Sequence, residues 1–209
     1  MKHIHLIWDF DGMLFNTYPR MAKAFQKALS EMGVEDCYER VMARIKISVR
    51  QAAIEYAEEY NLDRAALSER YHLHEHAMPV ETMVPYDGMC ELLRDAVAAG
   101  CRHYLYTHRD DSALEALERC AIRELFSGAI TWLDHFPAKP APDALLHLIK
   151  KHGLNPDECL MLGDRDIDVQ AARNAGIAGA LFDPAHFYDG FENDLRADSV
   201  AALRKLLGI

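Results

Sequence analysis

A chain of 209 residues, half of them hydrophobic, has room for one or two domains with a sizeable core and is not a disordered polymer. With 23 Lys and Arg against 33 Asp and Glu the net charge is −10, which argues against nucleic acid or an anionic membrane as a partner. The cysteines Cys37, Cys90, Cys101, Cys120 and Cys159 are odd in number and lack metal-knuckle spacing, so they read as reduced thiols of a cytoplasmic protein; the short apolar run before Asp9 is too brief for a signal peptide or a membrane span.

Ile4 to Trp8 is a short, nearly continuous apolar run, the pattern of a strand buried on both faces, and it ends abruptly in Asp9 and Asp11. From Tyr18 to about Met78 the pattern is helical throughout. Pro19 stands near one helix start and Gly33 at its end, and Ser48 and Asp63 are set to cap two further helices. After "VPYDG" the texture changes. "GMCELLRDAVAAG", "SALEALERC", "PDALLHLIKKHG", "DVQAARNAG" and "SVAALRKLLG" read as helices. "CRHYLYT", "GAITW", "ECLMLGD" and "IAGALF" read as strands between them. Such alternation predicts βαβ units. The expected fold is therefore α/β: a Rossmann-like parallel sheet with helices on both faces, formed by residues 1–16 and 84–209, with an all-helical cap domain inserted at 17–83.

In an open parallel sheet the strand C-termini share one rim, and ligands bind there. That rim would gather Asp9 and Asp11 from the first strand, Thr107 from the second, Lys139 after the third, and Gly163 and Asp164 from the fourth. Asp9 and Asp11 are two apart, so in extended chain they point the same way. Three carboxylates together repel and call for a cation; all-oxygen ligands suit a hard ion, Mg2+. Lys139 and the Thr107 hydroxyl would face an anion beside it, the makings of a phosphoryl-transfer site.

Four stretches, "DFDGMLFNT", "YLYTHR", "AKPAPD" and "GDRDID", resemble in order and spacing the four motifs of the haloacid dehalogenase-like hydrolase superfamily. The helical insert resembles that family's small helical cap, and "VPYDGMCELL" resembles the return to the core in phosphoglycolate phosphatase-like members. The resemblance implies that Asp9 is a nucleophile forming an aspartyl-phosphate and Asp11 a general acid–base whose backbone carbonyl also ligates the metal. It implies phosphate stabilisation by Thr107, Lys139 and the close backbone approach that Gly12 permits, with His108 and Arg109 within reach of phosphate or substrate. Asp164 matches a metal ligand and Asp168 an acidic residue close to or just behind the metal. Asp11 argues for phosphatase or phosphomutase chemistry, since the dehalogenase branch lacks it. Lys46, Ser48 and Arg50 match the cap segment that meets substrate; the plainer reading makes them exposed residues at a helix start. The chain departs from the common pattern at Met13, Asn16 and His108.

Two side features have plainer readings. Asp166 looks like a helix cap rather than a ligand. His72 and His76 lie four apart on a helix, as a transition-metal pair would, and read better as part of a solvated cap helix. The expected function is a Mg2+-dependent phosphatase of a small phosphorylated metabolite, phosphoglycolate-like, acting as a monomer or homodimer. The alternatives are a β-phosphoglucomutase-like phosphomutase, an inorganic pyrophosphatase and a catalytically silent binding protein.

Overall fold

The computed structural model describes residues 3–209; the first two positions of the expected core segment lie outside it. Strand β1 (His5–Trp8) is buried at all four positions, which explains why its sequence shows no polar alternation. It lies between β2 (Arg102–Tyr106) and β4 (Cys159–Gly163), parallel to both. With β3 (Phe126–Ile130), β5 (Ala178–Phe182) and the short β6 (Arg196–Ala197) the sheet has the order β3-β2-β1-β4-β5-β6, parallel throughout. This is the doubly wound order, which reverses direction beside β1 and opens a crevice at the ends of β1 and β4. Trp8 is level with Leu105 and Leu162, so Asp9, Thr107 and Asp164 emerge together on that rim.

Both sheet faces are covered. Ile7, Tyr104, Tyr106 and Met161 point to one face and pack with Leu145 and Leu148 of α7 (Asp143–His152) and Ala171 and Ala172 of α8 (Asp166–Asn174). On the other face the ring of His103 bonds the Leu93 carbonyl of α5 (Met89–Ala98) at 2.9 Å and accepts the indole N–H of Trp8 at 2.9 Å. Helices α6 (Ser112–Arg119) and α9 (Val200–Leu207) complete the alternation.

Contacts divide the chain into two units, one running to Phe15 and resuming at Pro85, the other Asn16–Val84. The second holds α1 (Tyr18–Glu31), α2 (Tyr38–Ile47), α3 (Val49–Tyr60) and α4 (Arg64–His76), around Phe25, Leu29, Tyr56 and Leu67. Ser48 and Asp63 cap α3 and α4, accepting from the backbone N–H of Gln51 at 3.3 Å and of Ala65 at 2.8 Å. A buried Arg20–Glu75 pair at 3.1 Å joins the start of α1 to the end of α4, and the same guanidinium donates to the Glu75 carbonyl and to Thr82 Oγ1.

Three elements differ from the sequence expectation. β3 begins two residues before "GAITW" and stops at Ile130. There the Thr131 N–H turns to the Asp134 carboxylate at 2.8 Å, and residues 132–134 form one 3-10 turn that leaves Trp132 exposed. β6, two residues long, is too short to show a period. Among the described residues no helix is long and apolar enough to cross a membrane.

Candidate active site at the strand tips

The fold delivers Asp9, Thr107 and Asp164 by strand register, but two of the remaining groups arrive through turns. After Asp9 the chain reverses at once: Gly12, at φ +74°, donates its N–H to the Phe15 carbonyl at 2.8 Å, and Leu14 and Phe15 both bond back to the Phe10 carbonyl. A positive φ at that position favours glycine. The turn leaves Asp11 partly exposed at the lip, with Asp9 buried beneath it. Thr107 continues β2, its N–H on the Ile130 carbonyl at 3.0 Å, and its hydroxyl accepts the Arg109 N–H at 3.0 Å.

Asp9, Asp164 and Asp168 each offer a carboxylate oxygen within 4.8 Å of the others, and all three are buried. The ammonium of Lys139 is buried among them. It donates to Asp168 at 2.7 Å, to Asp9 at 3.0 Å and to the Tyr106 carbonyl at 3.0 Å, which uses its three protons. The Lys139 ammonium and, farther off, the Arg165 guanidinium, 4.0 Å from Asp164 Oδ1, thus face three carboxylates. Burial pushes Asp9 up to about 7, against the pull of Lys139. Burial also opposes charge on Asp168, yet Lys139 and Arg165 outweigh it and hold that carboxyl below the usual range. Lys139 itself is raised, because the attraction of Asp168 and Asp9 exceeds the cost of burying it.

This donor set fits a hard divalent cation: closely spaced carboxylate oxygens, short of positive charge. Among the described residues these three aspartates form the group of ligand-type side chains close enough to hold an ion, and His72 and His76, with ring centroids 6.0 Å apart on α4, are not part of such a group.

Asp168 does more than its sequence position suggested. Its Oδ2 accepts the Arg165 N–H at 3.1 Å and so closes the start of α8, while its Oδ1 holds Lys139. The cap expected at Asp166 is thus supplied by Asp168; Asp166 accepts from Gln170 at 2.9 Å instead. Gly163 makes this possible. A Cβ there would lie 2.2 Å from the Asp168 side chain, a contact the packing cannot absorb. A glycine directly before "DRDID" was the available signal for that approach.

His108 turns its Nε2 to accept the Lys139 backbone N–H at 3.0 Å, and burial, then the charges of Lys139 and Arg165, push its ring down to about 3. It is a neutral acceptor that fixes the lysine's loop. Arg109 grips both oxygens of Asp11, through Nε at 3.0 and 3.1 Å and Nη2 at 2.8 Å. In the helical unit Lys46 is buried, its ammonium 4.5 Å over the Tyr18 ring in the last turn of α2, which corrects the reading of it as an exposed helix-start residue. Ser48 is engaged as a cap, and Arg50 is exposed.

Residues 6–182 match the family model described as haloacid dehalogenase-like hydrolase, and the chain belongs to that family. It is 30% identical over 190 residues to a phosphoglycolate phosphatase of Aliivibrio fischeri, covering 82% of this chain and 80% of that protein. It is also 30% identical over 187 residues to the fructose-1-phosphate phosphatase YqaB of Escherichia coli K12, covering 84% and 94%. Among solved structures, a hydrolase from Streptococcus pneumoniae TIGR4 superposes with a TM-score of 0.70 at 31% identity over the whole of both chains.

Proposed function

We propose that this enzyme is a Mg2+-dependent phosphatase of small phosphorylated metabolites, working through a phosphorylated Asp9, with the helical unit as its cap domain. The observation that carries the reading is the buried Asp9–Lys139–Asp168 group beside Asp164. One Lys139 proton holds Asp9 Oδ1 in place, with the other two on Asp168 and the Tyr106 carbonyl, so one Asp9 oxygen is oriented and the other is the one we assign to attack.

The metal would be held by carboxylate oxygens of Asp9 and Asp164 and the backbone carbonyl of Asp11. When bound it neutralises the carboxylates and stabilises charge on the phosphoryl oxygens. Asp168, with one oxygen on Lys139 and the other on the Arg165 N–H, acts behind that set as a positioning group. In the first step an Asp9 oxygen bonds to phosphorus, the bond from phosphorus to the leaving oxygen breaks, and Asp11 gives that oxygen its proton. In the second, Asp11 takes a proton from water, the water oxygen bonds to phosphorus, and phosphate leaves as Asp9 is restored. The Thr107 hydroxyl stabilises the phosphoryl oxygens, with those backbone N–H groups of the turn after Asp9 that do not bond carbonyls, the N–H groups of Gly12, Leu14 and Phe15 being engaged within the turn.

Likeness to both a phosphoglycolate phosphatase and a sugar-phosphate phosphatase supports a small phosphomonoester as substrate. Lys46, Ser48, Arg50 and Arg109 are the residues we assign to substrate choice. The test is phosphate release in the presence of Mg2+ from a panel of alkyl phosphates, sugar phosphates and pyrophosphate. Release that Asp9→Asn abolishes supports the reading; release that survives this change refutes it.

A further inference from the structure

Two of the five cysteines meet in the sheet-bearing unit and have no part in the chemistry above. Cys90 stands in the first turn of α5, and Cys120 directly follows α6. Their thiols adjoin, near enough for an S–H bond between them, and both side chains are half-buried rather than closed off from solvent. A second contact supports the pairing. Arg94 lies one turn on from Cys90, on the same face of α5, and its Nη2 donates to the Cys120 carbonyl at 3.4 Å and to the Ala121 carbonyl at 3.2 Å. The chain turns sharply there: Ala121 takes φ +49°, its N–H on the Glu118 carbonyl at 2.9 Å. The end of α6 is thus held through its backbone against the face of α5 that carries Cys90. The other thiols are placed differently. Cys101 and Cys159 are buried, Cys159 giving its S–H to the Asn155 carbonyl at 3.3 Å, and Cys37 is exposed in the helical unit.

We propose that Cys90 and Cys120 form a redox-active dithiol, a modification site that a small disulfide such as glutathione disulfide converts to an intramolecular bridge between α5 and the end of α6. In the first step Cys120, having given up its proton, attacks one sulfur of glutathione disulfide. That S–S bond breaks, and one glutathione leaves as a thiolate and takes up a proton. Cys90 then gives up its proton and attacks the Cys120 sulfur, the mixed disulfide breaks, and the second glutathione leaves as a thiol. Two protein thiols are oxidised and one disulfide is reduced to two thiols, with protons conserved. Burial first, and then the adjoining Cys120, raises the Cys90 thiol above its usual range. That suits Cys90 to the second step, where proximity makes up for a small thiolate fraction.

The test exposes the whole chain to glutathione buffers of increasing disulfide-to-thiol ratio, quenches with acid, alkylates the remaining thiols and maps every cysteine by peptide mass spectrometry. The wild type should gain a Cys90–Cys120 cross-link without accumulating glutathione on either sulfur, and dithiothreitol should reverse it. Cys90→Ser, which removes the second sulfur and touches no catalytic group, should stop at a glutathione adduct on Cys120. Persistent glutathione on either cysteine of the wild type, linkage of either to a different cysteine, or both thiols still free at the most oxidising ratio overturns the proposal.

Discussion

His108 shows how far a single side chain departs from its sequence reading. In sequence it is a histidine beside the phosphate-binding threonine; in place it is a buried acceptor for the Lys139 N–H, with its ring pushed down to about 3. The sign of the pH effect follows. In the unfolded chain the ring takes a proton below its ordinary 6.5, while the folded protein keeps it neutral, so stability is lost as pH falls from 6.5 towards about 3. His108→Gln, a neutral acceptor, should soften that loss in denaturant titrations across the window. An NMR titration of the wild-type ring should show no inflection near its ordinary pKa. At Lys139 the expectation is harsher. Lys139→Met leaves three buried carboxylates without their ammonium, and kcat/KM should fall by at least about two orders of magnitude, on the scale of removing a charged group that stabilises the transition state. Activity within a few-fold of wild type would contradict the charge balance described above.

The elements were legible where a strong period or a cap governed them. Ile4 to Trp8 announced a buried strand, and Ser48 and Asp63 do cap α3 and α4. What was hidden depends on contacts between elements. That Asp168 rather than Asp166 closes α8 follows from its carboxylate being drawn to both Lys139 and the Arg165 N–H, and Lys139 is far away in the chain. The early end of β3 follows from a local Thr131–Asp134 bond that competes with the ladder. The β4–α8 junction is the most exposed to mutation. Gly163→Ala places a Cβ 2.2 Å from the Asp168 side chain, so α8 or Asp168 must shift. The expected cost is about 1–3 kcal/mol, typical of overpacking, seen in chemical denaturation, together with a loss of activity larger than that destabilisation explains.

At the level of the whole molecule, order along the chain made the rim predictable: four motifs at four strand ends converge because a parallel doubly wound sheet brings strand C-termini together. The carboxylate cluster was legible only in part: Asp9 and Asp164 belong to it as expected, but its third member is Asp168, while the Asp11 carboxylate, turned to the lip, is held by Arg109. The sharing of Lys139 between Asp9 and Asp168 was not legible, because it is set by distances. It carries a stability consequence. The folded-state pKa of Asp9 is raised from 3.8 to about 7, so the metal-free protein gains stability from its proton as pH falls through 7 and lacks that contribution above it. Asp9→Asn, which removes the buried charge, should therefore raise the melting temperature of the metal-free protein at pH 8, at roughly 2–4 °C per kcal/mol for a chain of this size. The gain should shrink by about pH 5, where the wild-type carboxyl is already protonated. Added Mg2+ should stabilise the wild type more at pH 8 than at about pH 5.5, since the ion and the proton answer the same deficit.

The central claim is that the Asp9 carboxylate becomes covalently phosphorylated. The measurement is to quench the enzyme during turnover of a small phosphomonoester with Mg2+, reduce the acyl phosphate with borohydride, and locate the modified residue by peptide mass spectrometry. The expected result is conversion at Asp9 in the turning-over wild type and none without substrate or in Asp9→Asn. Steady turnover with Asp9 unmodified, or modification at another carboxylate, would contradict it.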